Sequence, residues 1–447
     1  MPPLNSYSLS ENPKILYDLA GPERAERRAT IRAMNDYYSN KFPKPLVSDP
    51  SVRDDNVVIN LVRRIINQAV SLFMGVQPTI ELYDGPSDEP SDEVLAAWTA
   101  TTTANNLPIF LHSVALMGAI SGHCFCKVLP PEKEGGVPRW VLLDTSMVTA
   151  FWRADDVSKP VAYMIAWEAG RTIYRQDIFF DETAQAWFVR DLHKPTNKPH
   201  WVEDSLLEWT ASYSPIIDWK NLPSLNTYYG EPDLLDADLN LHVNFLASDV
   251  LRIIDVHAHP KTIGVGVEAS QVQPTAVNGF WAIPNPDAKV YNLEMTSDLA
   301  ATLNFFGQLQ KLFFAEGRGV DLLAFTTSGP QYLSNFFLRT IFKDALDKLD
   351  TKRNLYRNGI TAVFALGMEM LGYAVTVDIE WADSLPLNDE EEVSGIEKEM
   401  GLGILSRQTA AGLRGRDWEV EQVRMAEEQA DASGLSAALM RFEQGAI

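Results

Sequence analysis

The sequence predicts an α+β fold in which two long helices carry a small β-rich tip away from a mixed body, and three observations lead there. First, Leu235, Leu239, Val243, Leu246, Val250 and Ile253 step by three and four, placing one apolar face on a helix over 232–256. Twenty-five helical residues make a rod of roughly 37 Å, about the thickness of a small domain. Second, the spacing then changes to alternation, with Ile263, Val265 and Val267 between Thr262, Gly264 and Gly266, before helical spacing returns at Leu299, Leu303, Phe306, Leu309 and Phe313. Third, a run from 334 to 372 reads as one very long helix with a single apolar sector.

Taken in order, the chain begins with an arm over 1–21, where Pro2, Pro3, Ser6, Ser8, Ser10 and Pro13 discourage regular structure. Residues 86–92 read as an exposed loop ahead of a helix carrying Val94, Leu95 and Trp98. Cys124 and Cys126 sit on a strand, sharing one face while His123 points to the other. Pro232 near the start of the outgoing helix, with Asp233 and Asp236 in its first turn, suits a helix N-terminus. The tip offers three short strands: the one at Ile263, another over 280–283, and a third at Tyr291, Leu293 and Met295. Pro274, Asn278-Gly279, Pro284 and Pro286 mark its turns. Thr296 or Ser297, with Asp298 behind it, caps the returning helix. A forty-residue excursion of this kind suits an interaction module, because a lone pair of strands is barely stable without a partner to cover it.

The long helix buries Leu338, Phe342, Ala345, Leu346, Leu349, Tyr356, Ile360, Val363 and Phe364 in this reading. Arg339, Lys343, Asp344, Asp347, Lys348, Lys352, Arg353 and Arg357 go to its outer faces, and Gly359 and Gly367 are places where it could kink. The charges among them read as intrahelical or intersubunit ion pairs. Beyond Leu385, the acidic run Asp389-Glu-Glu-Glu392 suits the first turn of a helix.

Composition narrows function. A chain of 447 residues, 46% hydrophobic, can bury sizeable cores in two or three domains. Its net charge of −22 argues against tight sequence-independent binding to DNA, which needs clustered Lys and Arg to neutralise phosphates. Two cysteines are too few for a disulfide framework and suit a reducing compartment. The start Met1-Pro-Pro-Leu-Asn5 lacks the basic and apolar runs of a secretory leader. The longest apolar stretch, 362–375, is interrupted by Glu369 and is too short to span a bilayer, so no membrane association is expected.

Catalytic signals are sparse. No G-x-x-x-x-G-K-[ST] run or G-x-S-x-G elbow is present, and Gly264-x-Gly266 and Gly317-x-Gly319 lack the third glycine of a dinucleotide site. The sharpest enzyme-like signal is Asp255-Val-His257-Ala-His259, which resembles the first-strand metal motif of metal-dependent amidohydrolases. All seven histidines lie at or before position 259, and the 188 residues that follow are too few for the rest of a barrel of roughly 250 residues. A helix C-terminus closed by Pro260 suits the same histidines. No catalytic residue, metal or cofactor is therefore expected.

The order of elements resembles the portal proteins of tailed bacteriophages, of the siphophage type. The stretch 327–353, a Ser-Gly followed by a long Lys/Arg-rich helix, is similar to the tunnel loop and wing helix of that family. Ile59 to Pro78 (INLVRRIINQAVSLFMGVQP) resembles its early wing helix with a Gly-x-x-Pro turn. Gly122 to Ala150 resembles the strands that end in a Leu-Asp-x-x-x-Val turn, and Pro215 to Leu234 resembles the root of the stem, with Pro232 where the family usually has Ser. Residues 385–392 and 403–406 and the acidic helix after Asp417 resemble the family's tail.

The resemblance implies a portal fold and a division of the chain. An α/β wing over 22–230 would be completed by 334–385, with stem helices over 231–258 and 297–317. A clip over 259–296, a tunnel loop region over 318–333 and a helical crown-like region over 386–447 complete the scheme. It further implies a homododecameric ring at the capsid portal vertex of the virion, assembled in the bacterial host cytoplasm. That ring would serve as a conduit for DNA packaging and ejection and would dock terminase large subunit and head-tail adaptor proteins, with capsid and scaffold proteins as further partners. Double-stranded DNA would pass through without sequence-specific binding, touching Thr326, Thr327, Ser328, Gly329 and Gln331. Lys261, Glu268, Gln271, Gln273, Phe280 and Trp281 would form the clip's partner surface, and Arg339, Lys343, Asp347, Arg353 and Arg357 would be intersubunit charges on the long helix. The alternative is an amidohydrolase-like enzyme using Asp255, His257 and His259.

Overall fold

A computed structural model of the chain describes residues 21–46, 55–84, 89–152, 156, 158, 160–181, 183–197, 200–211, 213–225, 227–258, 262–265, 287, 289–292, 299–321, 335–385 and 389–426. The chain divides into one compact unit of 1–329 with 342–384 and a second of 330–341 with 385–447.

The first unit opens with α1 (Gly21–Tyr38) and α2 (Leu61–Met74). Asn60 starts α2, its side chain accepting from the Arg63 amide, and Leu61, Ile65, Ile66, Val70 and Phe73 form a buried stripe at helical spacing. After β1 (Thr79–Tyr83) come α3 (Asp92–Ala104), capped by Ser91, and α4 (Leu107–Ser121). Gly122 ends α4 at φ 80, in the left-handed region, where its backbone passes close to that of Gly230 and Glu231.

A three-stranded sheet in the order β3-β2-β9 follows, made of β2 (His123–Leu129), β3 (Arg139–Leu143) and β9 (Ile216–Lys220). Between β3 and β9 the chain forms an antiparallel meander of β4 (Val148–Trp152), β5 (Pro160–Ala169), β6 (Thr172–Asp181), β7 (Ala186–Pro195) and β8 (Val202–Trp209). Strand alternation in β2 separates two cores. Cys124, Cys126 and Val128 join the helical cluster with Val114, Tyr356 and Phe364, while Phe125 joins Val148, Tyr163 and Ile178 against the meander. Both cysteines are buried and free, as their shared strand face predicts.

The outgoing helix α5 (Asp238–Ala258) spans 21 residues, about 32 Å, and contacts the returning α6 (Leu299–Glu316). Beyond them β10 (Thr262–Val265) pairs antiparallel with β11 (Lys289–Asn292), so two of the three expected tip strands form a hairpin base. The strand expected over 280–283 lies outside the described residues.

The long helix departs from expectation. It comprises α7 (Asn335–Ile341) and α8 (Lys343–Glu369), separated at Phe342, whose φ −83 and ψ 3 leave the helical basin. α7 falls in the second unit and α8 in the first. α8 is unbroken across Gly359 and Gly367, so these glycines are not kinks. A Cβ on Gly359 would meet the Trp219 ring at 2.3 Å, showing that the residue lets the helix lie directly on β9. β12 (Thr376–Glu380) then closes a two-stranded sheet with β1.

The second unit also holds α9 (Asp389–Gly401), which begins with the acidic run as expected, α10 (Arg407–Leu413), and a helical run over 418–426 behind the Asp417 cap. No described helix is long and apolar enough to cross a membrane.

Candidate functional site at the root of the stem

The sequence assigns 231–237 to the outgoing helix, but the start of this segment is bonded to the body of the protein. The Gly230 amide donates to His123 Nδ1 (3.2 Å), Glu231 to the Leu222 carbonyl (3.1 Å), and Asp233 to the Ala119 carbonyl (2.9 Å). The helix therefore begins only at Asp238, and Leu235 is left exposed rather than on its inner face.

This detour delivers Asp233 into the core. Its carboxylate accepts from Lys352 Nζ at 2.9 and 3.1 Å and from Asn221 Nδ2 at 3.1 Å. Asn221 in turn accepts from the Tyr356 hydroxyl at 2.8 Å, and that hydroxyl lies 3.8 Å from Cys124 Sγ. One turn of α8 earlier, Lys348 Nζ donates to the Gly317 carbonyl at 2.7 Å, where α6 has just ended. Lys348 and Lys352 are 4% and 1% exposed, which corrects their expected place on the outer faces of the long helix. Together they tie the first and last residues of the stem excursion to α8.

The electrostatics follow from burial. Desolvation pushes the Asp233 carboxyl up, but the Lys352 and Lys348 cations, with hydrogen bonds from Lys352 and Asn221, hold it below the ordinary carboxylate value. Burial draws the Lys348 ammonium down, against the pull of Asp233. The Cys124 thiol is pushed up to about 12 by burial, which makes it inert rather than nucleophilic.

A second seam runs along α5, where Asn240, Asn244 and Ser248 recur every four residues on one face. Asn240 Oδ1 accepts from the Leu61 and Val62 amides (2.9 and 3.2 Å), two of the donors that a helix N-terminus leaves unsatisfied. Asn244 Oδ1 takes the Ile59 amide (2.9 Å) and Ser248 Oγ the Val57 amide (2.8 Å). On the returning side, Gln68 pairs with both backbone groups of Val320 (2.8 and 3.0 Å). α2 and the segment before it thus hold the base of α5, and α2 also holds the segment just after α6.

A third cluster lies between the sheets. Asp218 accepts from Tyr163 (2.6 Å), from Tyr228 and from His123 Nε2 (2.7 Å). Because Gly230 N–H points at Nδ1, the imidazole is the neutral Nε2–H tautomer. Burial lowers the His123 pKa, opposed by Asp218. The unfolded chain therefore takes up a proton near the ordinary value of about 6.5, whereas the folded one does so only at lower pH. Folding stability is expected to be full above about pH 6.5 and to decline below it. Urea midpoints at pH 7.5 and 5.5 check this, and His123→Gln should flatten the difference.

The other expected site residues divide. Thr326, Thr327, Ser328, Gly329 and Gln331 of the tunnel loop, and Lys261, Glu268, Gln271, Gln273, Phe280 and Trp281 of the clip, lie outside the described residues. On α8, Lys343 and Asp347 are exposed, and Arg339 is exposed on α7. Arg353 donates to the Ala382 carbonyl (2.5 Å) and Ser384 Oγ (2.8 Å) and pairs with Asp350 (3.9 Å), while Arg357 pairs with Asp378 (2.5 Å). These two arginines fasten α8 to β12 and the segment after it, so contacts to another subunit would compete with bonds inside this one.

Asp255 and His257 lie within α5. Positions two apart on a helix are about 200° apart around the axis, whereas the amidohydrolase motif needs a strand to bring them together. His259 lies outside the described residues. Among the described residues, no group of three His, Cys, Asp or Glu side chains could hold a metal ion.

A family model described as "Phage portal protein, SPP1 Gp6-like" matches residues 22–245. The chain belongs to this portal protein family. The match runs from α1 into α5 and ends just past Asn244. A search of curated proteins by sequence gave no match. Among solved structures, a chain from the neck of an empty GTA particle, computed with C6 symmetry, has a TM-score of 0.51 at 14% identity. The alignment covers 86% of this portal protein and 93% of that chain, and shows a shared fold. A chain from the virion of a native gene transfer agent particle gives 0.49 at 15% identity, covering 80% and 89% of the two chains. One from the native GTA neck, computed with C12 symmetry, gives 0.48 at 13%, with the same coverage.

Proposed function

We propose that this portal protein works by assembly rather than catalysis, as one subunit of a closed ring of twelve at the portal vertex of a virion. The observation that carries the reading is the distribution of uncovered apolar side chains on the stem. On α5, Phe245 is 49% and Ile254 48% exposed, and their spacing of nine residues puts them on opposite sides of the helix, about 180° apart. On α6, Phe305 and Leu312, 53% and 59% exposed, share one side, with Leu303 opposite. One mate cannot cover both flanks, but a subunit held between two neighbours buries each of them. That is the heterologous contact from which closed rings are built.

The ring would be a passive conduit for DNA during packaging and ejection, with the tunnel loop of 318–333 touching the duplex. A net charge of −22 disfavours adhesion to phosphates and suits sliding without sequence-specific binding. The clip, supported at its base by the β10–β11 pair, would dock the terminase large subunit during packaging and head-tail adaptor proteins afterwards. Capsid and scaffold proteins would meet the wing during assembly in the host cytoplasm. Replacing residues 266–286 by a short Gly-Ser linker should leave the ring intact and abolish terminase binding in a pull-down with purified terminase. Retained binding would place the docking surface elsewhere.

A further inference from the structure

The structure assigns a second partner surface to the outer edge of the wing meander. We infer that β8 accepts an extended, lysine- or arginine-bearing segment of another protein as a sixth strand. In the order β4-β5-β6-β7-β8, β8 lies at one end of the sheet and, among the described residues, pairs on one side alone, with β7. Alternate residues of such a strand present unpaired amides and carbonyls outward. The strand at the opposite end, β4, is buried along almost its whole length, whereas β8 is exposed at six of its eight positions.

The side chains on this edge specify what would fit. Leu206 and Leu207 are neighbours in sequence and therefore project from opposite faces of the sheet, yet they are 51% and 61% exposed. Val202 adds a third uncovered apolar group. Glu203 and Asp204 stand between Val202 and Leu206, and Glu208 follows Leu207; all three carboxylates are exposed, with Asp204 held towards β7 by His193 (2.8 Å). Charges alone would blunt an edge against unwanted pairing. An edge that also keeps large apolar groups bare on both faces is instead suited to strand addition, in which main-chain bonds supply affinity and alternate side chains supply selection. The three carboxylates select a basic partner and repel an acidic one. They also disfavour a second copy of this edge, which would bring like charges together.

Hydrogen exchange of the full-length, assembled protein tests this with two synthetic seven-residue peptides, one alternating lysine with valine and the other alternating glutamate with valine. The lysine peptide should slow exchange of alternate amides across 205–209, beyond the register shift at Asp204, by about tenfold or more, equivalent to about 1.4 kcal/mol of added protection. The protection should fall as salt is raised. It should vanish in Glu203→Lys/Glu208→Lys, whose changes are confined to exposed positions. Absence of protection, or equal protection by the glutamate peptide, would overturn the proposal. Slow exchange of the outward amides before any peptide is added would also overturn it, by assigning the edge to a neighbouring subunit.

Discussion

Asp233→Ala is expected to lower the stability of the wing by about 3–5 kcal/mol, because it strands Lys352 and Lys348 in the core without their shared counter-ion. The measurement is a shift in the urea midpoint at unchanged slope. The cost arises mainly from the cations left behind rather than from the strength of the pair itself. Asp233→Leu combined with Lys352→Met should therefore recover the share of the loss due to Lys352, leaving the share due to Lys348, which a simple count of hydrogen bonds would not predict. pH acts in the same direction as the substitution. The folded carboxyl is held below its ordinary value, so its contribution is complete above the unfolded value of about 3.9 and disappears as pH falls through the folded one. Because Asp233 lies where the chain leaves the wing and Lys348 grips Gly317 where it returns, loss of this lock should also loosen the stem at both ends. Faster hydrogen exchange at the start of α5 and the end of α6 would report it.

Phe245→Asp together with Leu312→Asp is expected to leave a folded subunit that no longer forms rings. Both side chains are about half exposed in the isolated chain, so folding should change little. In the proposed ring each would be buried against a neighbour, where an apolar side chain contributes about 1.5–3 kcal/mol and an unpaired carboxylate is strongly disfavoured. A loss of about 3 kcal/mol per contact weakens each contact by roughly 100-fold, and a closed ring repeats that loss at every interface. Sedimentation velocity separates the outcomes: a single slow species with native circular dichroism fits the proposal, and intact rings would remove the stem flanks from the interface.

Much of this architecture is legible in the sequence because periodicity reports burial directly. The stripe through Val243 and Val250, the shared face of Cys124 and Cys126, and the helix-opening run at Asp389 all emerge as the spacing predicts. What escapes is governed by tertiary contacts. Asp233 follows Pro232 as a first-turn aspartate would, but backbone bonds to Leu222 and Ala119 hold 231–237 out of the helix. Lys348 and Lys352 are lysines in a charge-rich run, so composition sends them to solvent. One signal was present: Lys352 lies between Leu349 and Tyr356 in the buried stripe, where an outward residue would leave a gap. Gly359 suggests a kink only while the Trp219 ring across from it is unknown. Alternation and turn residues mark the tip itself, but the roles of individual clip and tunnel-loop residues rest on family resemblance.

Electron microscopy of the purified full-length protein, with native mass of the same sample, decides whether the subunits close into a ring. Ring-shaped particles with a central hole and a mass of twelve subunits, about 600 kDa from the 49.9 kDa chain, are expected. A monomer or compact two-fold dimer at the concentrations of assembly, without a central hole, would contradict the proposed ring.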